Sequence, residues 1–148
     1  MRRLAACVAV LAALGAARAQ TGADHDTPHA ASMSHRLERT FPPGAVKLQP
    51  LIDATPAGGT LELKAGVYAG PAKIERSMTL KGEPGAVIDG GGVGSVLTLA
   101  ASQSTVSGVT FRNSGDRHEQ TDACVQARGQ FNIIKDNSFE TCLFGLDL

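Results

Sequence analysis

Several charged or imidazole side chains fall within one short polar segment, Asn113 to Asp122. Among them His118, Glu119 and Asp122 are side-chain types that ligate metal ions, and neutral imidazole suits copper. Cys124 follows two residues later and is a further metal ligand as a thiolate. Loops that project from a rigid scaffold commonly carry function. The segment therefore predicts a metal site formed by these four side chains, with a solvated polar loop as the alternative.

A second group of metal-binding side chains lies near the start of the chain: His25, His29, Met33 and His35. Imidazole and thioether groups both bind copper, and thioether favours the reduced ion. The spacing matches no fixed metal site, and residues 20–40 are polar with no apolar period. We predict weak, adaptable copper capture by this tail, with an unstructured linker as the alternative.

The chain around these candidates repeats, and the repeat defines the scaffold. Phe111 returns as Phe139, 28 residues later. Leu97 returns as Val125 after 28 residues and as Leu146 after a further 21. A coil of 21 residues, with one seven-residue insertion between Phe111 and Val125, accounts for both intervals. Such a period is typical of a solenoid, in which each repeat buries its apolar face against its neighbours.

Short alternating runs fill each coil. Leu61 and Leu63 face one way while their neighbours face the other, and Met78 and Leu80 repeat that pattern. Three such runs per coil, with a period in the low twenties, predict an all-β fold: a three-sided, right-handed parallel β-helix. The hand follows from the crossover rule for parallel strands.

A short helix is predicted over residues 46–54, where Leu48 and Ile52 share one face. It would cover the open end of the solenoid, because the first coil otherwise exposes its core and its strand edges. The chain stops at Leu148, inside a predicted strand and before any closing cap. We therefore expect residues 46–148 to be the N-terminal part of a β-helix domain, truncated at its C-terminus.

One polar residue interrupts the apolar repeat. Asn137 occupies the inward position that Val109 holds one coil earlier. A buried amide needs hydrogen-bond partners, and at a bend it can bond backbone groups of its own turn. The alternative is a solvated side chain at a loose corner.

Two cysteines of the repeat region, Cys124 and Cys142, are predicted to stay apart. In register, Cys142 lies one coil above Thr121, which is one rung and three residues from Cys124. With ~4.8 Å per rung and ~3.3 Å per residue the separation is roughly 11 Å, whereas a disulfide needs α-carbons within about 7 Å. Alternation also turns Cys124 outward, because Val125 and Ala127 face the core. We predict an exposed thiol and no bridge unless the corner folds back.

The start of the chain has the pattern of a cleavable signal peptide. Two arginines precede an apolar run of 14 residues, Leu4 to Ala17, which is shorter than the ~20 residues of a spanning helix. A cleavage signal ends at Ala19. Residues 1–19 are therefore predicted to be a signal peptide and residues 20–45 a flexible linker, and no later stretch is predicted to be a transmembrane segment.

Composition narrows the function. Removal of the signal peptide takes three arginines and leaves 11 basic and 14 acidic residues, a net charge of −3. That charge disfavours nucleic acid as a partner. Aromatic residues make up 4% of the chain, which disfavours a sugar-binding face, since rings usually supply the stacking area.

Four segments match a known pattern in their order and spacing. They are LIDATPAGGTL at 51–61, AGVYAGP at 65–71, GAVIDGGG at 85–92 and LFGLDL at 143–148. Together they resemble the N-terminal part of the NosD-type maturation proteins for nitrous oxide reductase, although Cys124 stands where that family favours Gly. The resemblance implies a β-helix of the carbohydrate-binding and sugar-hydrolase superfamily, a periplasmic location and copper binding. It also implies a non-enzymatic role beside an ABC transporter, in assembling the copper–sulfide centre of the reductase.

Two other functions compete with that role. A polysaccharide lyase, epimerase or hydrolase needs paired carboxylates with a base along a groove, often with calcium. Asp89, Asp116 and Asp122 are available, but no row of carboxylates stacks across the coils. The third alternative is a binding solenoid of unknown partner. Fold alone does not choose between them, and the family resemblance favours the maturation role.

Overall fold

The computed structural model describes residues 38–148, and the chain there winds through thirteen short strands and one α-helix. The helix, α1, spans Leu48–Ala54, and a single 3₁₀ turn spans His118–Gln120. Within the described range no helix is long and apolar enough to cross a membrane. The strands are β1 (Val46–Lys47), β2 (Thr60–Leu63), β3 (Gly66–Ala69), β4 (Ala72–Ile74), β5 (Thr79–Gly82), β6 (Ala86–Asp89), β7 (Leu97–Leu99), β8 (Thr105–Ser107), β9 (Thr110–Arg112), β10 (Ala123–Ala127), β11 (Ile133–Lys135), β12 (Ser138–Glu140) and β13 (Phe144–Asp147).

The strands of the described residues form three sheets, and all the pairings are parallel. Sheet A has the order β1-β3-β6-β9-β12, sheet B the order β2-β5-β8-β11 and sheet C the order β4-β7-β10-β13. The chain visits sheets A, C and B in turn in each coil. The predicted three-sided parallel β-helix is therefore confirmed.

The sequence repeat coincides with the strand register. Phe111 pairs with Phe139, and Leu97 pairs with Val125. Val125 in turn pairs with Leu146 on the next coil. Parallel pairing in register places equivalent side chains directly above one another, so a conserved inward position in each coil builds a continuous apolar column.

The core is this column of aliphatic side chains with one ring in it. Phe111 is fully buried, and its ring stacks on that of Phe139 with centroids 5.9 Å apart. As predicted, Met78 and Leu80 face inward and are buried. The other fully buried side chains of the column include Leu63, Ile88, Leu97, Leu99, Val106 and Val125.

Helix α1 caps the first coil, where it takes the place of a strand in sheet C. Leu48 and Ile52 are buried beneath it, as predicted. Its last turn is closed by Arg76, which donates to the carbonyl oxygens of Ile52 and Asp53 at 3.1 and 2.9 Å. The last carbonyls of a helix lack the full set of intrahelical partners, so the guanidinium satisfies the Asp53 carbonyl and adds to the bond that Thr55 N already donates to Ile52 O at 3.0 Å. The predicted start at Val46 was wrong, because Val46–Lys47 pairs with β3 as strand β1.

Asparagines join the coils at the bends, so Asn137 is hydrogen-bonded as in the first alternative, but its partners belong to the preceding coil and not, as predicted, to its own turn. Its Oδ1 accepts from Val109 N at 3.0 Å, and its Nδ2 donates to Val106 O at 3.0 Å. Asn132 does the same one bend earlier, accepting from Ser104 N and donating to Ala101 O, both at 2.9 Å. The amide side chain thus continues the ladder where the backbone turns away from it.

The register pair Phe111 and Phe139 yields a matched stability prediction. Phe111→Ala should lower the free energy of unfolding by about 3–5 kcal/mol, because it leaves a cavity in a fully closed part of the core. Phe139→Ala should cost only about 1–2 kcal/mol, because that residue is already 38% exposed. Urea unfolding followed by circular dichroism measures both, and equal losses would contradict the described stacking.

Candidate functional site

The coils differ in length mainly at the corner between sheets A and C. Two residues connect β3 to β4 and three connect β12 to β13, but residues 90–96 and 113–122 make much longer connections in the middle coils. The sequence predicted the second insertion and missed the first. Backbone hydrogen bonds from Gly92 N to Asn113 O and from Gly115 N to Gly94 O stack the two loops. We call this stack, residues 90–96 and 113–122, the corner ridge.

Asp89 anchors the corner ridge at its base. Its side chain is 2% exposed. Its Oδ2 accepts from Arg112 Nε at 2.8 Å and from Asn113 Nδ2 at 3.0 Å, and its Oδ1 accepts from Gly91 N at 2.8 Å. Burial acts to raise the pKa of Asp89, but the three hydrogen bonds and the Arg112 charge outweigh it and lower the pKa. The carboxylate is thus held ionised, and it fixes both loops to strand β6.

Asp122, at the other end of the second loop, closes that loop on itself. It is 2% exposed, and it accepts from the Nε and Nη2 atoms of Arg117 at 3.0 and 3.2 Å and from Arg117 N at 3.2 Å. The hydrogen bonds to Asp122 raise the pKa of Arg117. This predicted metal ligand is therefore neutralised by a guanidinium of its own loop.

The remaining predicted ligands of the loop point elsewhere. His118 and Glu119 are exposed on the 3₁₀ turn, and the His118 ring meets the edge of Phe144 with centroids 6.1 Å apart. Among residues 38–148, no three His, Cys, Asp or Glu side chains converge to hold a metal ion. The structure does not bring the four loop candidates together.

Cys124 and Cys142 form a disulfide, so the prediction that they stay apart was wrong. Their α-carbons are 5.7 Å apart. The predicted register is right, but the distance estimate fails because extended strand geometry ends before the corner. Thr121 and Thr141 both adopt the left-handed conformation with φ of 51°, which folds the corner back and brings the two cysteines together.

The prediction of an exposed Cys124 thiol was also wrong. Cys124 is fully buried although it alternates with the inward residues of β10. The corner of the last coil covers Cys124. In that corner Cys142 packs against the core, and Leu143 N donates to Ser114 Oγ of the preceding loop at 2.9 Å. A disulfide sulfur is no thiolate, so Cys124 offers no metal ligand in this form.

The other predicted ligands, His25, His29, Met33 and His35, lie outside the described residues. The end of the predicted linker, however, contacts the corner ridge. This docking was missed, although the glycine run after Asp89 was a signal that backbone lies open there.

Two hydrogen bonds make that contact. Thr40 N donates to Gly91 O at 3.2 Å, and Arg39 Nη1 donates to Gly90 O at 2.7 Å. Only a glycine fits at position 91, where a β-carbon would lie 2.9 Å from the Phe41 ring. The absence of a side chain at Gly91 therefore lets the segment before β1 approach the ridge.

Comparison with known proteins bears on the family. The chain is similar to the probable ABC transporter binding protein NosD of Pseudomonas aeruginosa, with 45% identity over 92 residues. This match confirms the resemblance to NosD-type proteins. It covers 60% of this chain and 21% of the relative, so the chain spans about a fifth of the length of that protein. No protein-family profile and no solved structure matches the chain.

The disulfide should contribute measurably to stability. Replacing both partners by serine, Cys124→Ser with Cys142→Ser, removes a closure over 18 residues and should cost about 3 kcal/mol of unfolding free energy. Urea unfolding of residues 20–148 measures the loss, and wild-type protein in dithiothreitol should match the serine variant. Two reactive thiols in the folded, non-reduced protein would contradict the assignment.

Asp89 should make the stability depend on acid pH. Its folded-state pKa is lowered, so its contribution is complete above the unfolded pKa of about 3.9 and is lost as the pH falls towards the folded pKa. Asp89→Asn should cost about 2 kcal/mol at pH 7. It should also flatten the loss of stability below about pH 4. Asp116→Asn, at an exposed position of the ridge, is the control and should keep the wild-type slope in pH-dependent urea unfolding.

Proposed function

We propose that this chain is the N-terminal part of a NosD-type accessory protein. It is non-enzymatic, it is exported to the periplasm, and it acts with an ABC transporter in assembling the copper–sulfide centre of nitrous oxide reductase. The observation that carries the proposal is the 45% identity over 92 residues with the probable ABC transporter binding protein NosD. The signal-peptide pattern over residues 1–19 supports the location.

The two buried carboxylates at the corner between sheets A and C support a role without catalysis. A carbohydrate-active enzyme on this fold needs two carboxyl groups that face one groove and exchange protons with the substrate. Asp89 and Asp122 are the buried acids of the described range, and each is held by an arginine at 2.8–3.0 Å. Acids committed to ion pairs in this way hold loops in place and are not available as proton donors.

The corner ridge also supplies a surface suited to a protein partner. Its two loops are tied to one another by backbone hydrogen bonds and to strand β6 by Asp89, while the pair of Arg117 with Asp122 closes the longer loop on itself. A loop that is already ordered loses little conformational entropy on binding, so more of the contact energy appears as affinity. The ridge is therefore our candidate contact surface for the transporter or the reductase.

Copper capture, as part of the same proposal, is assigned to the tail. Copper titration of residues 20–148 should give micromolar binding that is lost when His25, His29, Met33 and His35 are all replaced by alanine. His118→Ala combined with Glu119→Ala is the matched control on the ridge and should leave the titration unchanged. Binding that survives the tail variant would overturn the assignment to the tail, and no binding at all would remove copper from the proposal.

A chimaera tests the function in a cell. In Pseudomonas aeruginosa, the 92-residue segment of NosD that this chain matches would be replaced by the corresponding segment of this chain. We expect cells with the chimaera to consume nitrous oxide and to make reductase that contains copper. The same chimaera carrying Phe111→Asp should fail, because a buried charge disrupts the stacked core.

The chimaera contradicts the proposal if it accumulates as folded protein while nitrous oxide is not consumed. Immunoblotting and limited proteolysis establish that the protein is present and folded. A chimaera that works without delivering copper to the reductase would keep the family assignment and exclude the copper–sulfide role.

A further inference from the structure

Two arginines from different parts of the chain converge above one glycine of the corner ridge. A β-carbon at Gly94 would lie 3.3 Å from Arg39 Nη2 and 3.6 Å from Arg117 Nη2. Gly94 has φ of +71°, a conformation that side-chain-bearing residues rarely adopt. The bare α-carbon thus forms the floor between two guanidinium groups.

Three arginines lie in or beside the corner ridge, Arg39, Arg112 and Arg117, and the buried acids neutralise them unequally. Arg112 pairs with Asp89 and Arg117 pairs with Asp122. Within residues 38–148 Arg39 has no carboxylate partner, and its one side-chain hydrogen bond is from Nη1 to a backbone carbonyl. Of the three, Arg39 is therefore the one guanidinium that pairs with no carboxylate of the described residues.

The like charges oppose one another. Burial lowers the pKa of Arg39, and the charge of Arg117 lowers it further, while Asp122 only partly offsets both effects. A guanidinium has five N–H donors, and neither Arg39 nor Arg117 uses all of them within the described residues. An anion between the two side chains would remove the repulsion and accept from the open donors.

We propose that the corner ridge binds a small oxyanion between Arg39 and Arg117, over Gly94. The planar forks of two arginines match the oxygens of a phosphate-like or carboxylate group, which accept paired N–H bonds. The inference is independent of the proposed function, because it rests on these three residues alone.

Acids on the same loop set the strength of the site. Asp116 and Glu119 lie close enough to Arg117 for their charges to raise its pKa. These carboxylates compete with a bound anion for the positive charge of Arg117. The affinity for the anion is therefore modest, with a dissociation constant of about 1 mM. Neutralising them by Asp116→Asn with Glu119→Gln should tighten binding about twofold.

Titration of residues 20–148 with sodium phosphate at fixed ionic strength tests the site. Nuclear magnetic resonance follows the Gly94 amide and the Nε–H signals of Arg39 and Arg117, which should shift together and saturate. Arg39→Gln should weaken binding at least fivefold, and Arg39→Lys should lie in between because it keeps the charge and loses the fork. Lys81→Gln, an exposed residue of sheet B, is the charge-matched control.

A parallel titration with sodium acetate distinguishes the two oxyanion types. Tighter phosphate binding assigns the site to a phosphate-like group, and tighter acetate binding assigns it to a carboxylate. Shifts that do not saturate by about 50 mM, or equal affinities in wild type and Arg39→Gln, would overturn the proposal. Arg39 lies outside the coils, so its variants should fold. Circular dichroism checks that each variant does.

Discussion

Stacking of inward side chains directly above one another constrains everything else in this molecule. Each parallel strand must stay in register with the strand below, because a slip of one residue would turn its apolar side chains out of the core. Insertions are therefore excluded from the strands and are tolerated at the corners. Phe111 above Ile88 and below Phe139 illustrates the constraint, since the three positions stay paired although the chain between them varies in length.

The corner between sheets A and C uses that freedom. Two successive coils carry long connections there, and their backbones bond to each other as the strands do. A buried carboxylate stabilises each loop, as buried apolar side chains stabilise the coils. Asp89 and Asp122 are stable in the interior because arginines and backbone amides surround them. Within residues 38–148 every buried side-chain polar atom has a hydrogen-bond partner.

The periodic parts of this fold could be predicted from the sequence, because they depend on local alternation and on a repeat interval. Those patterns predicted the pairing of Phe111 with Phe139, the capping helix that contains Leu48, and the parallel sheets. The amide at Asn137 was foreseen as one of two alternatives, since its position in the repeat was known but its rotamer was not.

The corners could not be predicted in the same way. The disulfide depends on left-handed backbone at Thr121 and Thr141, residue types that rarely adopt it, and strand spacings give no information there. Arg39 contacts the ridge by donating to the backbone carbonyl oxygen of Gly90. A glycine run that exposes such a carbonyl leaves no periodic pattern in the sequence. The sequence therefore predicted the polar loop between β9 and β10 but not the contacts of its side chains, in which Asp122 pairs with Arg117 and Cys124 with Cys142.

Hydrogen exchange tests the central claim, that the corner ridge is a fixed part of the β-helix. The informative amides are those of Gly92 and Gly115, which join the two loops. We expect these two amides to exchange about as slowly as the amides of β9, because they open only when the coils open. Exchange of both amides at the rate of unprotected backbone, while β9 stays protected, would contradict it.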